Sequence, residues 1–194
     1  MIYDKEKQTV TIKPAKIAIY KILILVFANL LPFLPLVEGI FNGVSADILH
    51  VALLGVIIVE IFLSFITMLL IMQIGRTYIF DKEGLTVCFI FYKKKYTWEE
   101  LKVKRLDNYK DCILRGYTEG AVFATDEVKR TYFMTAPDAY RIKHLLIPLA
   151  SPFFIDFIEE GKPFYQQEIN SMYQVNKKDF LEAMGELGVK LDCV

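Results

Sequence analysis

The chain has 194 residues, 54% of them hydrophobic, and its 23 basic and 23 acidic side chains cancel at neutral pH. A balanced charge argues against a general nucleic-acid binder, because phosphate binding rests on surplus Lys and Arg, so no nucleic-acid partner is expected. Cys88, Cys112 and Cys193 form no CxxC pair and read as free thiols rather than a disulfide or metal framework.

In chain order, residues 1–16 form a basic N-terminal segment with Lys5, Lys7, Lys13 and Lys16. Two long apolar runs follow, at 17–37 and 48–74. A helix of about 20 residues crosses a hydrocarbon core of about 30 Å, so both runs are long enough to span. The first is longer than the apolar core of a signal peptide, which is about 7–15 residues, and Pro32 and Pro35 precede no small-residue cleavage site. Residues 17–75 are therefore expected to form a transmembrane hairpin. Its connection, 38–47, carries Glu38 and Asp47 but no Lys or Arg, whereas Arg76, Lys82, Lys93, Lys94 and Lys95 follow the second run. Basic flanks stay cytoplasmic, which predicts a multi-pass protein of the plasma (inner) membrane with both termini in the cytosol.

Glu60 lies midway along the second run, where a charge costs roughly 2.5–3.5 kcal/mol on insertion scales. Ser64 and Thr67 share its helical face, and an antiparallel hairpin brings Asn29 to a similar depth. This polar face, Asn29, Glu60, Ser64 and Thr67, has three readings: a polar relay or partner site, a protonated Glu60 bonded to Asn29 as interhelical glue, or a surface for oligomerisation.

Beyond the membrane the period becomes alternating, and 76–194 is expected to form one cytosolic β domain. Residues 77–80 and 85–92 read as strands of a hairpin around Asp81, Lys82, Glu83 and Gly84, with Gly84 supplying a positive φ. Lys93, Lys94 and Lys95 read as the tip of a second turn, with 96–98 continuing as strand. Flanked by Tyr92 and Tyr96, that tip is a candidate contact for anionic headgroups or a partner, or simply a solubilising turn. Short strands are expected at 112–114, 121–124, 131–134 and 140–147. Ser151 and Pro152 suggest a helix start leading through 153–160, and Asn176 caps a last helix at 177–187 with Phe180, Met184 and Leu187 on one stripe.

The run Tyr78-Ile79-Phe80-Asp81-Lys82-Glu83-Gly84-Leu85 resembles the opening hairpin of the bacterial PH-like (YcxB-like) membrane proteins. Tyr96-Thr97-Trp98-Glu99-Glu100-Leu101 is similar to that family's strand ending in a Trp-acidic-hydrophobic turn, and Leu146-Ile147-Pro148 leading into 151–158 to its late strand, proline and helix. The resemblance covers roughly residues 17–160 and leaves 162–194 unexplained. It implies an α+β membrane protein, in which the two-helix hairpin precedes a cytosolic PH-like antiparallel β domain with C-terminal helices, and it carries over no catalytic residue.

Chemical motifs are scarce. The chain has no Gly-rich phosphate loop, no HExxH and no Ser-centred elbow. Its two histidines, His50 and His144, fall in different regions, and the adjacent Glu99 and Glu100 suit a solvated turn better than an acid–base pair. No catalytic residue, metal or cofactor is expected. The expected function is a membrane-anchored, non-catalytic binding or regulatory module. The alternative is an accessory subunit of a transporter or envelope assembly that acts through its helices. Expected partners are membrane lipids and either a protein partner or a second copy.

Overall fold

A computed structural model describes residues 1–110, 117–126, 149–158, 173 and 175–193. The strands expected at 112–114, 131–134 and 140–147, with Cys112 and His144, lie outside the described residues. The chain divides into two compact units, Ile19–Ile71 on one hand and Met1–Ala18 with Met72–Val194 on the other.

The helical unit is built from α1 (Lys16–Ala28), a single 3-10 turn (Leu31–Phe33), α2 (Leu34–Phe41) and α3 (Ala46–Ile74). The break between α1 and α2 falls at Pro32, whose ring removes a backbone donor and cannot continue a helix interior. Ile22–Phe41 and Ala46–Met68 are long and apolar enough to cross a membrane, and only 6% and 11% of the two segments is buried in protein. Ile24, Phe27, Ile58 and Phe62 are all exposed, so these are not core helices wrapped by a soluble fold. The connection is shorter than expected, residues 42–45, because α2 runs on through Glu38 and ends beside Gly43 at φ 68.

The β unit contains nine strands among the described residues. The first sheet has the order β1-β2-β3-β4-β5, from β1 (Ile2–Asp4), β2 (Thr9–Ile12), β3 (Arg76–Phe80), β4 (Gly84–Phe89) and β5 (Tyr92–Thr97). The second has the order β8-β7-β6-β9, from β6 (Val103–Lys110), β7 (Tyr117–Ala124), β8 (Phe153–Asp156) and β9 (Asp192–Cys193). The described strand pairs are antiparallel except β6 with β9, and a single parallel bridge joins Phe157 to Val175. Residues 1–16 are thus not merely a basic leader. β2 pairs with β3 in the register Val10↔Phe80, Thr11↔Ile79 and Ile12↔Tyr78, and Val10 and Ile12 are fully buried. The helical excursion is an insertion between two neighbouring strands of one sheet.

Strand periodicity builds the core. Tyr78 and Phe80 of β3 and Leu85, Val87 and Phe89 of β4 point inward at every second position. Tyr78, Phe80, Leu85 and Val87 join Phe123 of β7 and Phe153 of β8 in one cluster, with ring centroids 5.2 Å apart for Phe80–Phe123 and 6.0 Å for Tyr78–Phe153, so both sheets share one core. The last helix, α4 (Lys177–Glu186), closes it with Phe180, Ala183 and Met184. Asn176 caps α4 as expected, its side chain accepting from Lys178 and Asp179 N–H.

Two expectations are corrected here. Residues 153–156 are not the start of a helix but strand β8, with Phe153 and Ile155 buried on either side of the half-buried Phe154 and Ile155 opposite Ala121. Pro152 precedes a strand as readily as it opens a helix, because neither position needs its missing N–H. Gly84 is not at positive φ; it is required because a Cβ there would lie 1.9 Å from the Tyr96 carbonyl oxygen across the β4–β5 pair.

Candidate functional site

The polar residues of the helical unit are brought partly together. Asn29 sits at the end of α1, where its amide donates to the Leu25 carbonyl at 2.6 Å and to Thr67 Oγ1 at 3.0 Å, while Ser64 Oγ donates to Asn29 Oδ1 at 3.5 Å. The 64/67 spacing along α3 places both hydroxyls toward the one amide. Thr67 is buried there. Asn29 therefore turns its amide to Leu25 and Thr67 rather than to Glu60, and among the described residues Glu60 Oε1 is buried with no hydrogen-bond partner. A buried acceptor without a donor is costly in any apolar setting, which makes Glu60 the least satisfied group of this face.

The β4–β5 hairpin differs from the expected lysine-tipped turn. Lys93, Lys94 and Lys95 lie within β5, opposite Cys88, Val87 and Thr86. The turn is the two-residue link Ile90-Phe91, because Phe89 pairs with Tyr92. Ile90 holds φ 50, a left-handed conformation that two-residue hairpins normally assign to Gly, Asn or Asp. For a β-branched side chain it is a steric outlier, costing about 1–2 kcal/mol. Phe91 is 95% exposed, Tyr92 70% and Ile90 67%.

The three lysines also have different surroundings. Lys95 is bound back into the domain, 2.6 Å from Glu83 and 3.0 Å from Asp81. Lys94 stands 4.7 Å above the ring of Tyr96, a cation–π contact, while Lys93 is exposed on the opposite face of the strand. Tyr96 is buried and donates its hydroxyl to the Leu149 carbonyl. Tyr92, Lys93 and Lys94 thus remain at the surface, whereas Lys95 and Tyr96 belong to the fold.

Opposite the tip, the far end of this hairpin is tied down. Asp81 Oδ1 accepts from Glu83 N–H at 2.8 Å and Gly84 N–H at 2.9 Å, and Trp98 Nε1 donates to the Asp81 carbonyl at 3.0 Å. Burial pushes the Asp81 carboxyl up, but the Lys95 hydrogen bond, the two backbone donors and the Lys95 charge outweigh it and hold it below its ordinary value. Thr97 and Glu100 form a reciprocal capping box, Glu100 N–H to Thr97 Oγ1 at 3.2 Å and Thr97 N–H to Glu100 Oε2 at 2.8 Å. Glu100 is therefore structural.

Sequence reasoning did not single out the buried polar cluster around Tyr173. Tyr173 packs on Tyr78 with ring centroids 5.3 Å apart, and Arg76 and Asp156, also buried, lie within electrostatic reach. Burial first, then Tyr78, hold the Tyr173 hydroxyl well above its ordinary value. Arg76 also donates through Nε to the Met72 carbonyl at 3.1 Å, a cation at the C-terminal end of α3. Among the described residues, no three His, Cys, Asp or Glu side chains gather as metal ligands.

No family model, curated protein or solved structure matches the chain. Its functional reading rests on its own geometry.

Proposed function

We propose that the chain is a membrane-anchored, non-catalytic binding or regulatory module. Two spans hold it in the plasma (inner) membrane with both termini in the cytosol, and a PH-like β domain is presented at the cytosolic face. The observation that carries this reading is the β2–β3 register, Val10↔Phe80 to Ile12↔Tyr78. An apolar excursion that leaves one strand and returns to its hydrogen-bonded neighbour begins and ends on the same side of a bilayer. The number of crossings is then even, in agreement with the Lys and Arg flanks. The PH-like reading is supported by two sheets on one core closed by a C-terminal helix, and by the 78–85 and 96–101 likeness. The late proline-to-helix likeness at 146–158 adds nothing, since β8 occupies 153–156.

Reporter fusions test the anchor. A fusion after Gly43 reads outside and one after Val194 reads inside; an outside signal at Val194 defeats the proposal.

A second reading, an accessory subunit of a transporter or envelope assembly, is favoured by the partnerless Glu60 Oε1. Glu60→Gln and Glu60→Leu separate a relay from packing. Equal and severe loss of a cellular phenotype in both, at unchanged expression, favours the membrane assembly. A phenotype that depends on Lys93 and Lys94 but not on Glu60 favours the cytosolic module.

A further inference from the structure

The β4–β5 turn combines three features that do not serve the fold. Its two central residues, Ile90 and Phe91, are exposed and apolar, and Tyr92 beside them is exposed as well. Ile90 is held at φ 50, where a turn of this length places Gly at no steric cost. Strain of this kind, kept where a cheaper residue is available, marks a position retained for something other than stability.

The location of the tip narrows what that is. Phe89, the last residue of β4, pairs with Arg76, the first residue of β3, which follows directly on α3. Ile12, the last residue of β2, pairs with Tyr78, and the chain then runs through Lys13 and Lys16 into α1. The turn therefore lies at the end of the sheet from which the chain leaves for the apolar helices and to which it returns. The opposite end, at Asp81–Gly84 and Trp98, carries the acidic and hydrogen-bonded turn instead.

Charge agrees with position. Lys93 and Lys94 stand on opposite faces of β5, two to three residues behind Phe91. At about 3.4 Å per residue they trail the tip by roughly 7–10 Å. The polar interface of a bilayer leaflet is about 5–8 Å deep, so a tip at the edge of the hydrocarbon sets both lysines among the headgroups. Tyr92, between them and the tip, is a residue type enriched at that depth.

We infer that the Ile90-Phe91-Tyr92 tip is a lipid-inserting wedge that docks the β domain onto an anionic bilayer surface through Lys93 and Lys94. The inference rests on the membrane-anchored reading and extends it: the domain is held to the surface at a point besides its two helical tethers. The occupant is lipid rather than protein. The tip is a narrow two-residue projection with basic flanks, whereas a protein partner of ordinary affinity needs a broad complementary face.

The test uses the full chain reconstituted in vesicles of mixed anionic and zwitterionic lipid whose acyl chains carry bromine. The only native tryptophan, Trp98, lies at the far end of the hairpin and serves as an internal unquenched reference. Phe91→Trp is expected to show blue-shifted emission that bromine quenches, while Lys82→Trp, in the opposite turn, is not quenched. Lys93→Gln and Lys94→Gln in the Phe91→Trp background should each lower the inserted-to-retracted ratio about fivefold in anionic vesicles, the worth of one basic residue at such a surface. Ile90→Gly in that background should keep or raise thermal stability while reducing quenching, which separates insertion from folding. Blue-shifted but unquenched emission overturns the proposal in favour of a protein cover. Red, unquenched emission overturns it in favour of a solvated tip, and equal quenching without anionic lipid overturns the role of the lysines. Alkaline carbonate extraction of the same vesicles separates the two levels. A chain that resists extraction yet shows no quenching sinks the wedge alone; a chain that washes off sinks the anchored reading beneath it.

Discussion

A methyl group added at Gly84 would meet the Tyr96 carbonyl oxygen at 1.9 Å, and no side-chain rotation relieves a clash with backbone. Gly84→Ala should therefore destabilise the β domain by about 1–3 kcal/mol, as overpacking does. Gly185, in α4, has open space where its Cβ would stand, so Gly185→Ala should stabilise by about 0.5–1 kcal/mol. Thermal denaturation of the two variants in the same detergent should give shifts of opposite sign; equal signs would refute the steric account. Tyr173 supplies a pH dependence. Its folded pKa lies well above the ordinary 10.0, so above that pH the unfolded chain has lost the proton that the native state still holds. The stability it contributes is intact below about pH 10 and is lost as pH rises through the folded pKa. Tyr173→Phe should flatten this alkaline decline, although it also removes the hydrogen bond between the Tyr173 and Tyr78 side chains and so starts from a lower stability at neutral pH. An unchanged alkaline slope would locate the sensitivity elsewhere.

Among elements, the contact of α1 with α3 through Asn29, Thr67 and Ser64 is of modest strength. Interhelical hydrogen bonds in membranes are worth about 0.6–2 kcal/mol, so Asn29→Leu should loosen the hairpin without preventing its insertion. Cross-linking between cysteines placed in α1 and α3 measures this, and complete loss of cross-links would mean that the bonds organise the pair. These elements differ in how far they could be read from residues alone. The apolar runs, the Asn176 cap and the inward stripe of α4 are local patterns that need no partner to be recognised. β6 was missed because VKRLDNYK shows little alternation; its Arg105 and Asp107 are paired at 2.9 Å, so charges sit where a strand pattern asks for apolar residues. β8 reads as a helix because a dense apolar run between turn signals has no period, and only its pairing with β7 decides. The tip at Ile90 and Phe91 was hidden for the opposite reason. Turn chemistry points to polar or Gly residues, and the three lysines offered them three positions downstream of the real reversal.

For the whole molecule, β2 belongs to the core as fully as any later strand, through Val10 and Ile12. Deleting the first twelve residues removes Val10 and Ile12 and leaves an edge of β3 unpaired, so the truncated chain should insert its helices but fail to give a protease-resistant β domain. A resistant domain from that variant would show the N-terminal strands to be dispensable. The β2–β3 pair has one more consequence, and it concerns the order of synthesis. Pairing strands across some 65 intervening residues of free chain would carry a length-dependent closure cost of about 4 kcal/mol. A hairpin of helices inserted in a bilayer returns its second end beside its first and so does the work of a tight turn before the two strands have met. On the proposed topology β1 and β2 leave the ribosome before β3, and β2 must wait for that partner until α3 has emerged and inserted. If α3 fails to insert, β3 emerges on the wrong side and the sheet cannot close. Folding of the cytosolic domain then becomes a proofreading step for membrane integration, and misinserted copies would be marked for proteolysis by their own unpaired strands.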